Sequence, residues 1–178
     1  TNVGTSSSHG IIVSDYLDLS GGILFIRGRF AQVINDVVRN GANPGHVDGS
    51  LRRYIPTGTT TKIFPVGYGT SYTPAVLEFN GTGGTADFLD ILSDTLTTTT
   101  TPISTTGASI LPAGSNIMDS KNVRRQWIVS VPPSGTFTLG TGRKYNAELG
   151  FISGNAPVGD VRGGGDFNQF DVRLWTGT

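Results

Sequence analysis

The chain contains no cysteine. That excludes disulfides, zinc–thiolate centres and a cysteine nucleophile. It leaves secretion open, because a domain of this length can bury a sufficient core without cross-links. Charge is also scarce: 15% of the 178 residues are charged, against about a quarter in an ordinary soluble domain. Thirteen basic and thirteen acidic residues cancel to a net charge of zero. A basic face for nucleic acid is therefore not expected, and no block of like charges suits an anionic membrane. No apolar run approaches the ~20 residues of a membrane helix. Glutamate occurs only at Glu78 and Glu148, both inside strand-like runs, so no carboxylate pair stands out for glycosidase chemistry. The two histidines, His9 and His46, share no ligand spacing and disfavour a zinc site. Neither comes with a local Ser/Asp constellation for nucleophilic catalysis. The chain reads as a non-enzyme.

What is abundant is glycine, with 26 residues, and long Thr/Ser stretches. Helical periodicity is nearly missing. "FAQVINDVVRN" has apolar residues at 30, 33, 34, 37 and 38, a helix-like spacing, yet it is dense in β-branched residues and lies between strand-like runs. Strand signals are many: "GIIVSDYLDLSGG", "GGILFIRGRF", "HVDGSLRRYI", "TKIFPV", "AVLEF", "ADFLDILSDTL", "RRQWIVSV", "GTFTLG", "AELGFIS" and "FDVRLW", separated by Gly, Pro, Asn and Thr clusters. About ten short strands at even spacing predict an all-β fold, an antiparallel, jelly-roll-like β-sandwich. The expected organisation is one domain over 1–178, in which 1–45 forms short strand repeats or an arm packing on a 46–178 sandwich module. "LTTTTTPISTTGASILPAGSN" (96–116) reads as an exposed loop, or an edge strand followed by a loop. The opening "TNVGTSSSHG" reads as the start of a processed chain or of a piece of a longer one.

Several stretches invite a site. "NGTGGTAD" is glycine-rich, but no Gly-Lys-Ser/Thr follows and no helix opens after it, so a phosphate loop is not expected and a hairpin turn is. Calcium is the metal the aspartates could serve: Asp87, Asp90 and Asp94, or Asp160, Asp166 and Asp171 in the flexible "GDVRGGGDFNQFD". Solvated turn aspartates are the simpler reading, and no cofactor is expected. Tyr68 and Tyr72 flank the turn in "TKIFPVGYGTSYTPAVLEF"; they could form a ligand platform for glycans or pack over the hairpin. Trp127 and Trp175 read as core anchors. Arg52/Arg53 and Arg124/Arg125 open two strands. Neighbours in a strand face opposite sides, so one Arg of each pair is expected to turn inward and pair with Asp or stack on a ring.

Taken together, "HVDGSLRRYIPTGTTTKIFPVGYGTSYTPAVLEF", "NVRRQWIVSV" and "FDVRLWTGT" resemble a β-rich module of large secreted and cell-surface proteins of Bacteroidota, exported by the type IX system. "GIIVSDYLDLSGGILFIRG" is similar to the strand repeats that lead into that module. In the usual pattern the later strand reads nearer Asn-Arg-Tyr-Trp; here Arg-Arg-Gln-Trp replaces it. The resemblance implies an extracellular, surface-exposed module without an enzymatic site. Asp94-Thr95-Leu96 also fits that phylum's Asp-Ser/Thr-aliphatic O-glycosylation sequon, making Thr95 a modification candidate.

The expected function is a structural subunit or segment of an extracellular polymer, such as a filament, sheath or adhesin. Its partners would be copies of itself, joined through strand edges or by donation of the N-terminal strand. The alternative is a non-catalytic module that binds glycans or another surface polymer through Tyr68 and Tyr72.

Overall fold

The computed structural model describes residues 10–95, 123, 125–153 and 160. Trp175, Arg124, Asp166, Asp171, His9, the "FDVRLW" strand and the Thr-rich 96–116 stretch lie outside the described residues. The chain divides into two compact units, Thr1–Asp94 with Trp127–Gly150, and Thr95–Gln126 with Phe151–Thr178. The expected boundary near 45 falls inside the first unit.

Among the described residues there are twelve strands and no helix: β1 Ile11–Val13, β2 Tyr16–Asp18, β3 Leu24–Val33, β4 Asp36–Val38, β5 Val47–Ile55, β6 Thr60–Phe64, β7 Val66–Tyr68, β8 Ser71–Tyr72, β9 Ala75–Asn80, β10 Asp87–Thr95, β11 Arg125–Ser130 and β12 Lys144–Leu149. The all-β expectation holds. The helix-like spacing of 30–40 resolves into the end of β3 and all of β4, as its β-branched residues favour. "GTFTLG" supplies only an isolated bridge between Thr138 and Thr85.

The pairing corrects one expectation: it is not antiparallel throughout. β1 pairs with β3, β3 with β5, β5 with β7, and β2 with β4, all in parallel. Ile11 stands beside Ala31 and Ala31 beside Leu51, a step of 20 residues (11, 31, 51). Tyr16 stands beside Asp36 at the same step. The N-terminal repeats therefore stack as rungs in parallel register. From β5 onward the ladders change. β10 runs antiparallel to β5, and β6, β9 and β12 form an antiparallel sheet in the order β12-β9-β6. The larger sheet runs β1-β3-β5-β10-β11, with β7 and β8 attached at β5.

One apolar cluster serves both sheets. Ala31, Val33, Leu51, Ile55, Leu89 and Ile91 come from the larger sheet, and Phe64, Ala75, Leu77 and Phe79 from the three-stranded one. The alternation is visible in β9, where Ala75, Leu77 and Phe79 are buried and Glu78 is exposed. Trp127 packs against this cluster, and its indole N–H donates to the Thr73 carbonyl at 3.2 Å.

The Arg pair of β5 splits as the strand period requires. Arg53 turns inward and donates to the carbonyls of Ile63 (2.6 Å) and Asn35 (3.1 Å) and to Asp36 (2.7 Å). Arg52 stays on the other face, with its guanidinium over the Phe30 ring and a two-pronged bond to Asp90 at 2.7 and 2.9 Å. In the second unit Arg125 is buried against Asp160.

Candidate functional site

"TKIFPVGYGTSYTPAVLEF" forms one hairpin that serves two sheets. Its legs, β6 and β9, pair antiparallel in the three-stranded sheet, with Phe64 opposite Ala75. Its tip, β7 and β8, continues the same register, with Gly67 opposite Tyr72, but belongs to the larger sheet. That register sets Pro65 and Pro74 opposite each other at the crossing. Proline has no N–H to give to a ladder, so pairing lapses there and each carbonyl is free for another strand. Pro65 accepts from the Val47 N–H at 2.9 Å, and Pro74 from the Gly150 N–H at 2.8 Å. Thr73 locks the same point, its hydroxyl 2.6 Å from that of Ser93.

A polar cluster holds the tip. Asp48, 1% exposed, accepts from Arg27 Nε at 2.8 and 2.9 Å and from the Gly69 N–H at 3.0 Å. The Gly69 carbonyl lies 3.1 Å from His46 Nε2; a carbonyl only accepts, so Nε2 carries the hydrogen. His46, just before β5, and Asp48, its second residue, thus hold the two sides of one residue. Gly69 has φ +60°, the left-handed turn conformation glycine adopts without strain. A Cβ on Gly67 would collide with the Ser71 carbonyl and the His46 ring.

Tyr68 and Tyr72 are both placed in this cluster, each under a guanidinium. Arg27 lies 3.8 Å from the Tyr68 ring centre and Arg39 3.6 Å from that of Tyr72. Arg39 also donates to the carbonyls of Gly45 (2.5 Å) and Pro44 (3.0 Å). One face of each ring is therefore used for cation–π packing within the chain, and the arrangement fastens the tip to the rungs. Arg27, Arg39 and Asp48 escaped the sequence reading. Asp48 has the strand parity of Arg52 rather than of the inward Leu51 and Arg53, so its burial gave no local signal in the sequence.

Burial pushes the His46 imidazole below its ordinary value; Arg39 adds to this, while the Gly69 carbonyl and Asp48 oppose it. A depressed folded-state pKa means that the unfolded chain takes up the proton first. The contribution of His46 to stability is thus complete above about 6.5, the unfolded value, and is lost as pH falls through the folded one. Denaturant titrations at pH 7.5 and 5.0 are expected to show a lower midpoint at pH 5.0, and His46→Gln is expected to remove most of that difference. An unchanged pH dependence in the variant would assign it elsewhere.

The aspartates named for calcium have protein partners where they are described. Asp160 Oδ1 accepts from Arg125 at 2.6 Å, and Oδ2 accepts from Arg125 at 3.2 Å and from the Ile152 N–H at 2.8 Å. Asp87 accepts from the N–H groups of Phe88 and Thr136 and from the Thr136 hydroxyl, and these bonds hold its carboxyl below the usual range. Asp90 belongs to Arg52. A cation at Asp160 would have to displace a guanidinium. Thr95 is the last residue of β10 and is half-buried. No group of three or more His, Cys, Asp or Glu suited to a metal occurs among the described residues. Glu78 and Glu148 both lie on the three-stranded sheet, where Asn146 donates to Glu78 at 3.3 Å.

The sheet edges differ in chemistry. The three-stranded sheet ends in β12, with Lys144 and Glu148, and β6, with Lys62; the β2·β4 pair carries Asp18 and Asp36. Such charges discourage further strand pairing. Among the described residues the larger sheet ends in β1, which has no charge, and β11, which has none after Arg125. These two edges also carry exposed apolar side chains, Ile11 and Ile12 (66% exposed) on β1, and Ile128 and Val129 (47%) on β11. Ile11–Asp18 is laddered onto β3 and β4 of its own chain. Comparison with protein-family models, with curated proteins and with solved structures finds no match to this chain.

Proposed function

We propose that the chain is a structural subunit or segment of an extracellular, cell-surface polymer that grows by strand-edge contact between copies. The observation that carries this reading is the pair of strands that end the larger sheet among the described residues, free of charge but for Arg125, each with large apolar side chains in water. Natural sheets normally guard their edges with charge, and the other two sheets among the described residues do so. A net charge of zero removes the repulsion that keeps copies apart. The secreted, surface-exposed setting rests on the motif resemblance described above. Because Ile11–Asp18 already pairs within its own chain, the proposal is edge addition rather than donation of that strand.

Negative-stain images and sedimentation across a concentration series test it. Fibres or growing oligomers are expected. Monomers at high concentration overturn it; if a glycan array then gave hits, the chain would be a glycan-binding module, a reading favoured by Phe25, which is 64% exposed and in register with Asp48 beside the hairpin tip.

A further inference from the structure

We infer that the joint between copies is head-to-tail: the β11 edge of one copy adds to the β1 edge of the next and continues the larger sheet from subunit to subunit. This rests on the polymer reading and specifies its interface. The two candidate edges are the two ends of a single sheet. Among the described residues each is an end of the sheet and carries exposed β-branched side chains, Ile11 and Ile12 on one and Ile128 and Val129 on the other. Ile11–Ile12–Val13 meets no opposing charge along Trp127–Ile128–Val129–Ser130, whereas pairing onto β12 or β6 would set Lys144, Glu148 or Lys62 against it.

The occupant of β1 is a second copy because the matching edge is present in every copy. The incoming strand would also meet the end of an apolar row, Ile11–Ala31–Leu51–Ile91, that runs across the sheet. A contact of β1 with β1, or of β11 with β11, would be isologous and close at two copies. A β1-to-β11 contact is heterologous, leaves one edge open at each end, and propagates.

Edge lysines test this directly. Ile12→Lys spoils the β1 edge and leaves β11 intact; Val129→Lys does the reverse. Light scattering after gel filtration is expected to give oligomers for the native chain and monomers for each variant alone. An equimolar mixture of the two variants is expected to give a dimer and nothing larger, because one intact β1 and one intact β11 remain to meet. Val131→Lys, just past the end of β11, serves as a milder second variant should Val129→Lys unfold.

If both variants assemble like the native chain, the edges are wrong and polymerisation stands. If only Ile12→Lys blocks assembly, or the mixture stays monomeric, the head-to-tail joint is overturned in favour of an isologous or unrelated contact. If Ile12→Lys lowers the thermal midpoint of a monomeric native chain, the chain itself covers β1, and the joint and the polymer reading both fail.

Discussion

Leu51→Ala is expected to lower the stability of the first unit by about 2–5 kcal/mol, toward the upper end of that range. Leu51 is fully buried in β5, the strand the rungs and the antiparallel ladders share. Its neighbours in register are Ala31 on β3 and Ile91 on β10. Alanine at 31 is too short to reach into the space that a second alanine would leave. β5 itself is hydrogen-bonded on both sides, so the backbone cannot close in. The cavity would therefore persist, and residual cavity volume is what separates costly truncations from mild ones. Leu51→Met, which nearly conserves volume, is expected to cost less than about 1.5 kcal/mol. Urea titration measures both, through the midpoint at constant slope. A loss below about 1 kcal/mol for the alanine variant would mean that the site collapses and that β5 is not the rigid centre.

The second large effect belongs to Arg125 and Asp160 in the second unit. Their side chains are only 2% and 6% exposed, and the guanidinium and carboxylate meet at 2.6 Å. Removing either partner strands a buried charge, at a cost of about 3–5 kcal/mol. Among the described residues, Arg125→Leu leaves Asp160 with the Ile152 N–H alone. Asp160→Leu leaves a guanidinium whose Nη1 already lacks a partner. The double variant removes both charges and is expected to recover much of the loss, because apolar pairs of similar volume often replace buried ion pairs without penalty. A double-mutant cycle reads the coupling; additive single losses would show that the two residues act independently. The same titrations with chelator address calcium, since a midpoint that falls on chelation would assign Asp160 to an ion instead.

Several features were legible from residue types alone. The strand class follows from β-branched and aromatic runs broken by glycine and proline, and even the helix-like spacing of 30–40 yields to its valines and isoleucines. The division of Arg52 from Arg53 follows from the period of two. Pro65, Pro74 and the glycines between them mark a turning hairpin. The first strands read as short strand repeats, but not as parallel rungs.

Partners separated along the chain were less legible. Arg27 meets Asp48, Arg39 meets Tyr72, and Arg143 donates to the carbonyls of Pro56 and Gly58. Each contact depends on which strands become neighbours, and a long side chain can reach many places before that is settled. The tyrosines at 68 and 72 illustrate the point. Their sequence allowed a glycan platform or local packing, and the guanidiniums laid over them come from segments more than thirty residues away.

The sequence by itself determined an all-β chain without thiols, poor in charge, with its turns placed by glycine and proline, because these properties depend on residue type and short-range period. Only the tertiary structure decided that the early strands run parallel, that one hairpin spans two sheets, and that β1 and β11, nearly free of charge, end the same sheet among the described residues. Strand order and direction are set by which apolar faces share a core, a long-range choice that no local pattern encodes.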